Sequence, residues 1–149
     1  KDTSASEPAV PSGPVRPSDI AKGQSYAQPA PAKPVEDPEK LKNKGNELFK
    51  KADYGGAIGL YTKSIEVQES AVVYANRAMA RLKLGQYKEA EADCTFSIGL
   101  DDKYVKAYSR RGTARRHLED LLGSTEDFEM AVRLDLNSRA HPAERVTSQ

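Results

Sequence analysis

The sequence predicts an all-α solenoid of three helix-turn-helix repeats with a disordered N-terminal tail. Two observations carry that prediction. Small residues recur at Gly45, Ala78 and Gly112, at separations of 33 and 34 residues. Prolines, which break helices, are absent between Pro38 and Pro142, while eight of the nine in the chain lie at or before Pro38.

The same offset aligns further columns. Leu41, Tyr74 and Tyr108 occupy a large position, and Tyr54, Tyr87 and Leu121 another. Ala57, Ala90 and Ser124 form a second small column. Tyr61, Cys94 and Phe128 follow, then Ser64, Ser97 and Ala131, then Ile65, Ile98 and Val132. Two antiparallel helices need a small residue where their axes come closest, and bulky residues at helical spacing fill the rest. One helix pair cannot bury its apolar face alone, so stacked pairs build a continuous core. A helix-turn-helix period of about 34 residues is that of the tetratricopeptide repeat (TPR), which the chain resembles.

Residues 1–37 are rich in Pro, Ala and Ser and poor in large apolar side chains. Such a segment buries too little surface to offset its ordering entropy, so a disordered linker is expected. The TPR domain is expected over 38–138, as repeats 38–70, 71–104 and 105–138. Its helices are predicted near 39–51, 54–68, 71–84, 87–100, 105–118 and 121–135. Asp53 is expected to cap the second helix, Gly85 to end the third, and Asp101-Asp102 to open the fifth. Residues 139–149 read as a short tail, with Pro142 able to start a partial capping helix.

Composition narrows the function. The chain has 149 residues with 23 Lys+Arg against 22 Asp+Glu, net +1, which argues against a generally basic nucleic-acid binder. The Arg110, Arg111, Arg115 and Arg116 cluster could contact phosphate, but acidic residues follow it closely. The single cysteine allows no internal disulfide and fits a reducing compartment, the cytoplasm with the nucleus as a second site. Cys94 falls in a core column and is expected to be buried. No apolar run is long enough for a membrane span. The chain begins at Lys1 without an apolar leader, so a fragment of a longer protein is expected. His117 and His141 are the only histidines, and no metal-ligand spacing, phosphate loop or nucleophile elbow accompanies them. No cofactor and no catalysis are expected.

The first helix of each TPR lines the concave face, and the polar residues there form a pattern. Lys42 and Asn46 lie four apart on the first helix, and Lys106 and Arg110 four apart on the fifth. Asn76 sits on the third. Like charges at that spacing disfavour a helix slightly, and asparagine is a mediocre helix former. Two lysines, an arginine and two amides on converging helices would make a cationic, hydrogen-bonding pocket. Its natural ligand is a pair of carboxylates, such as a peptide C-terminus ending in Asp or Glu.

The motifs Lys42-Asn43-Lys44-Gly45-Asn46, Asn76-Arg77 and Lys106-Ala107-Tyr108-Ser109-Arg110 resemble the carboxylate-clamp TPR co-chaperones. The resemblance covers 38–138 and matches all five clamp positions: Lys42, Asn46, Asn76, Lys106 and Arg110. It implies docking of the Glu-Glu-Val-Asp tail of heat-shock protein 90 or 70. Lys106 to Arg115 is similar to members that link heat-shock protein 90 to a client-assembly complex. Clamp domains usually carry a seventh helix, whereas little apolar sequence follows Leu136 here, so a frayed C-terminal end is expected. Two alternatives stay open: a generic TPR scaffold holding an internal helix, and the regulatory domain of a larger enzyme.

Overall fold

Asp37 stops the extended chain and starts the first helix by accepting a hydrogen bond from the Glu39 amide at 3.0 Å, with Pro38 at the first helical position. The computed structural model describes residues 34–140. The predicted linker therefore lies almost wholly outside the described residues, as do His141 and Pro142. Six helices follow in order: α1 Pro38–Lys50, α2 Tyr54–Val67, α3 Ala71–Lys83, α4 Tyr87–Leu100, α5 Val105–His117 and α6 Leu121–Ala140. They form three antiparallel pairs, and no strand occurs among the described residues.

The small columns sit where helix axes meet. A Cβ on Gly45 would lie 2.6 Å from the Tyr61 ring, and one on Gly112 would lie 3.0 Å from that of Phe128. Ala78 instead packs with Cys94, a smaller partner, and tolerates its methyl. The two columns are thus coupled: glycine faces an aromatic ring, alanine faces the thiol. Cys94 is fully buried, and burial pushes its thiol up to about 12, so it is inert packing. The serine column does more than fill space. Ser64 donates to the Pro38 carbonyl at 2.8 Å and Ser97 to that of Ala71 at 2.7 Å. Each ties the end of one helix to the start of its antiparallel partner.

Asp53 caps α2 by accepting from the Gly56 amide at 2.9 Å, as expected. Asp101 does not open α5. Its side chain accepts from the Lys103 amide at 3.0 Å, closing a turn, and Tyr104 occupies the cap position without a side-chain bond. The sixth helix runs to Ala140, past the predicted end at residue 135. Leu121, Leu122, Val132 and Leu136 on it remain exposed.

The three turns inside the repeats share one geometry. Ala52, Gly85 and Glu119 all take positive φ, at 63°, 74° and 66°. The residues after them donate back across the helix end, Asp53 to Leu48, Gln86 to Arg81 and Asp120 to Arg115, at 2.8–2.9 Å. Only Gly85 adopts this conformation without steric cost. Ala52→Gly and Glu119→Gly are each expected to raise unfolding free energy by about 0.5–1 kcal/mol, read by urea titration. A loss of stability in both would show that the turns are not strained.

Candidate functional site

Odd-numbered helices touch one another, α1 with α3 and α3 with α5, whereas the even-numbered ones do not. The stack therefore curves with α1, α3 and α5 on its inner side. Gly45 and Gly112 face α2 and α6, so residues one position further on, Asn46 and Thr113, turn toward the inner side.

Most arginines on α3 and α5 are already committed. Asp93 on α4 accepts from Arg77 Nε and Nη2 at 3.0 and 2.7 Å, and from Arg81 Nη1 at 2.9 Å. One repeat later, Asp127 on α6 accepts from Arg111 Nε and Nη2 at 2.9 and 2.8 Å and from Arg115 Nη1 at 3.0 Å. Arg115 also bonds Glu91 across the repeat boundary at 2.8 Å. Both aspartates are almost fully buried. These pairs recur at 34-residue spacing, a signal present in the sequence that the column analysis passed over. They leave little guanidinium charge for a nucleic-acid backbone.

Arg110 is different. Its Nη1 donates to the Ala75 carbonyl at 2.9 Å, and no carboxylate pairs with it among the described residues. Burial pushes its guanidinium down from the ordinary value, while nearby Tyr104, Cys94 and Tyr61 act the other way. Arginine keeps its charge in proteins, so this half-buried cation lacks a counter-ion.

The asparagines meet beside it. Asn46 Oδ1 accepts from the Tyr61 hydroxyl at 2.6 Å and from Asn76 Nδ2 at 3.2 Å. That oxygen is fully used, and the Asn46 amide nitrogen has no partner among the described residues. Burial pushes the Tyr61 phenol up, against the lowering effect of Arg110. The sequence marks Tyr61 only as a core-column residue, because its bond to Asn46 depends on a neighbour fifteen residues away. Asn46 on α1, Asn76 on α3 and Arg110 beside Ala75 thus form one connected group. Lys42 and Lys106 stand one turn before Asn46 and Arg110, about 6 Å along their helices. Burial raises the Tyr104 phenol, and Arg110 and Lys42 both act to lower it, so charges from α5 and α1 converge on one ring. Lys42 Nζ is held by the exposed Glu39 carboxylate at 2.6 Å, an ion pair of small value that another anion can displace. Lys106 is exposed and has no ion-pair partner among the described residues.

Next to these groups lies a cavity of about 440 Å³ between α3 and α5, walled by Met79, Leu82, Val105 and Thr113 with Lys106 and Arg110 at its side. It arises from packing of two helices and has no signature in either alone. Among the described residues no group of three metal-ligating side chains occurs, and no helix is long and apolar enough to cross a membrane.

Comparison with known proteins fits this geometry, although no family model matches the chain. The RNA polymerase II-associated protein 3 of Xenopus tropicalis is 50% identical over 98 residues, covering 65% of this chain. The human protein of that name is 47% identical over 99 residues. The chain spans 15% of the length of both relatives. Among solved structures, the second TPR of Spaghetti (RPAP3) bound to the HSP90 peptide SRMEEVD is 46% identical with a TM-score of 0.64, and the match covers 65% of this chain and 85% of that one. The second TPR domain of human RPAP3 in complex with the HSP70 peptide SGPTIEEVD is 44% identical with a TM-score of 0.62, over the same shares.

Proposed function

Since the chain belongs to the tetratricopeptide-repeat co-chaperone family, we propose that its inner face binds the acidic C-terminal tail of heat-shock protein 90 or 70. It would act as the docking module of a larger adaptor for client or complex assembly, in the cytoplasm or nucleus, with no catalytic step of its own. Lys42, Asn46, Asn76, Lys106 and Arg110 form a clamp for two carboxylates, the terminal one and that of the last aspartate. The observation that carries this is Arg110. It is the one half-buried arginine on α3 or α5 without a carboxylate among the described residues, while Arg77, Arg81, Arg111 and Arg115 all have one. A carboxylate arriving there meets a desolvated guanidinium, and the bond would be charge-assisted. Asn46 Nδ2 supplies a neutral donor, and the two lysines supply point charges from opposite helices.

Titration of the full chain with fluorescent Met-Glu-Glu-Val-Asp, beside the same peptide amidated, tests the reading. Micromolar binding is expected, lost at least about tenfold on amidation and weakened by salt. Equal affinity for the two peptides would turn attention to an internal helix as the ligand of the groove.

A further inference from the structure

The cavity beside the clamp ends in two polar side chains. Lys83 and His117 close it at the C-terminal ends of α3 and α5, and its wall contains no acidic residue. The His117 ring stacks flat on Tyr87, with centroids 4.2 Å apart and planes 5° from parallel, which pins the imidazole to the rim. Lys83 is exposed and has no ion-pair partner among the described residues. Lys83 follows Asn76 by seven residues and His117 follows Arg110 by seven, so both lie about 10 Å beyond the clamp. Measured from Lys106, the rim is about 16 Å away. An extended peptide advances about 3.3 Å per residue. A tail whose last carboxylates sit at Lys106 and Arg110 reaches the rim after about three to five residues. Met79, Leu82 and Thr113 lie between, and suit one apolar side chain.

We infer that Lys83, with the His117 ring beside it, forms a rim that selects, among tails held by the clamp, those with an acidic rather than a basic residue just before the apolar side chain. This rests on the proposed clamp and names a preference within it. A basic residue there faces the Lys83 charge with no acid in the wall to offset it, and an acidic one gains the lysine as a partner beside an imidazole that can hydrogen-bond. Both rim groups are solvated, so the preference is modest and screened by salt.

The test uses two peptides, SRMEEVD and SEMEEVD, titrated into the full chain at low and high ionic strength, each also in amidated form. The glutamate peptide is expected to bind about 3–10-fold more tightly at low salt, with the gap narrowing as salt rises. Lys83→Glu should invert the order. Should that variant lower the melting temperature, Lys83→Gln at this exposed position should still narrow the gap. Equal affinities, or tighter binding of the arginine peptide to the unaltered chain, with amidation still abolishing both, would overturn the rim and leave the clamp standing. Binding of neither peptide would overturn the clamp, and the rim with it.

Discussion

Arg110→Ala is expected to weaken binding of a Glu-Glu-Val-Asp peptide by at least about 30-fold, a cost of about 2 kcal/mol or more, without unfolding the domain. Two effects of opposite sign set this outcome. Tail binding loses its desolvated, charge-assisted partner. The free protein loses one hydrogen bond, to the Ala75 carbonyl, and is relieved of a half-buried cation with no counter-ion. The change in stability should therefore stay within about 1 kcal/mol. Fluorescence anisotropy and urea denaturation on the same preparation check both halves. Binding that survives the substitution would remove Arg110 from the clamp.

Asp93→Ala is expected to do the reverse, costing about 3–5 kcal/mol of stability. The carboxylate is 1% exposed and accepts three bonds from Arg77 and Arg81. Its removal strands two partly buried guanidinium groups. That cost is a large share of the roughly 5–15 kcal/mol that stabilises an ordinary domain. Asp127→Ala should cost somewhat less, because Arg115 keeps Glu91 at 2.8 Å. Asp135→Ala, which breaks only the exposed pair with Arg139, should fall within about 0.5 kcal/mol. Urea midpoints for the three variants give the order. Equal, small losses throughout would mean that the buried network contributes nothing beyond a surface pair.

Much of the fold was legible because a repeat writes the same physical demand three times. The starts of α2 to α6 fall where the columns put them, at Tyr54, Ala71, Tyr87, Val105 and Leu121. Less was legible where backbone geometry rather than side-chain type decides. Ala52 and Glu119 take the left-handed conformation that only Gly85 advertised, because the bonds closing the helix ends impose it. Asp101 looked like a helix cap and closes a turn instead. All five proposed clamp residues were visible as a spaced set of polar side chains on the first helix of each repeat. Their supports were not. Tyr61 under Asn46, Glu39 on Lys42 and the cavity beside Arg110 are products of side chains meeting across or along helices, and composition at one position does not encode them.

The pattern of helix contacts has a consequence for how the array holds its shape. Every contacting pair of helices is either adjacent or one apart in sequence, and α1 touches neither α5 nor α6. Such a chain closes only short loops as it folds, which favours rapid folding, and its stability is a sum of local couplings. It is also a chain whose ends know of each other only through the middle. Lys42 and Arg110 sit on helices that do not meet. Among the described residues, a carboxylate held by both would tie the first repeat directly to the third and turn a row of hairpins into a closed ring.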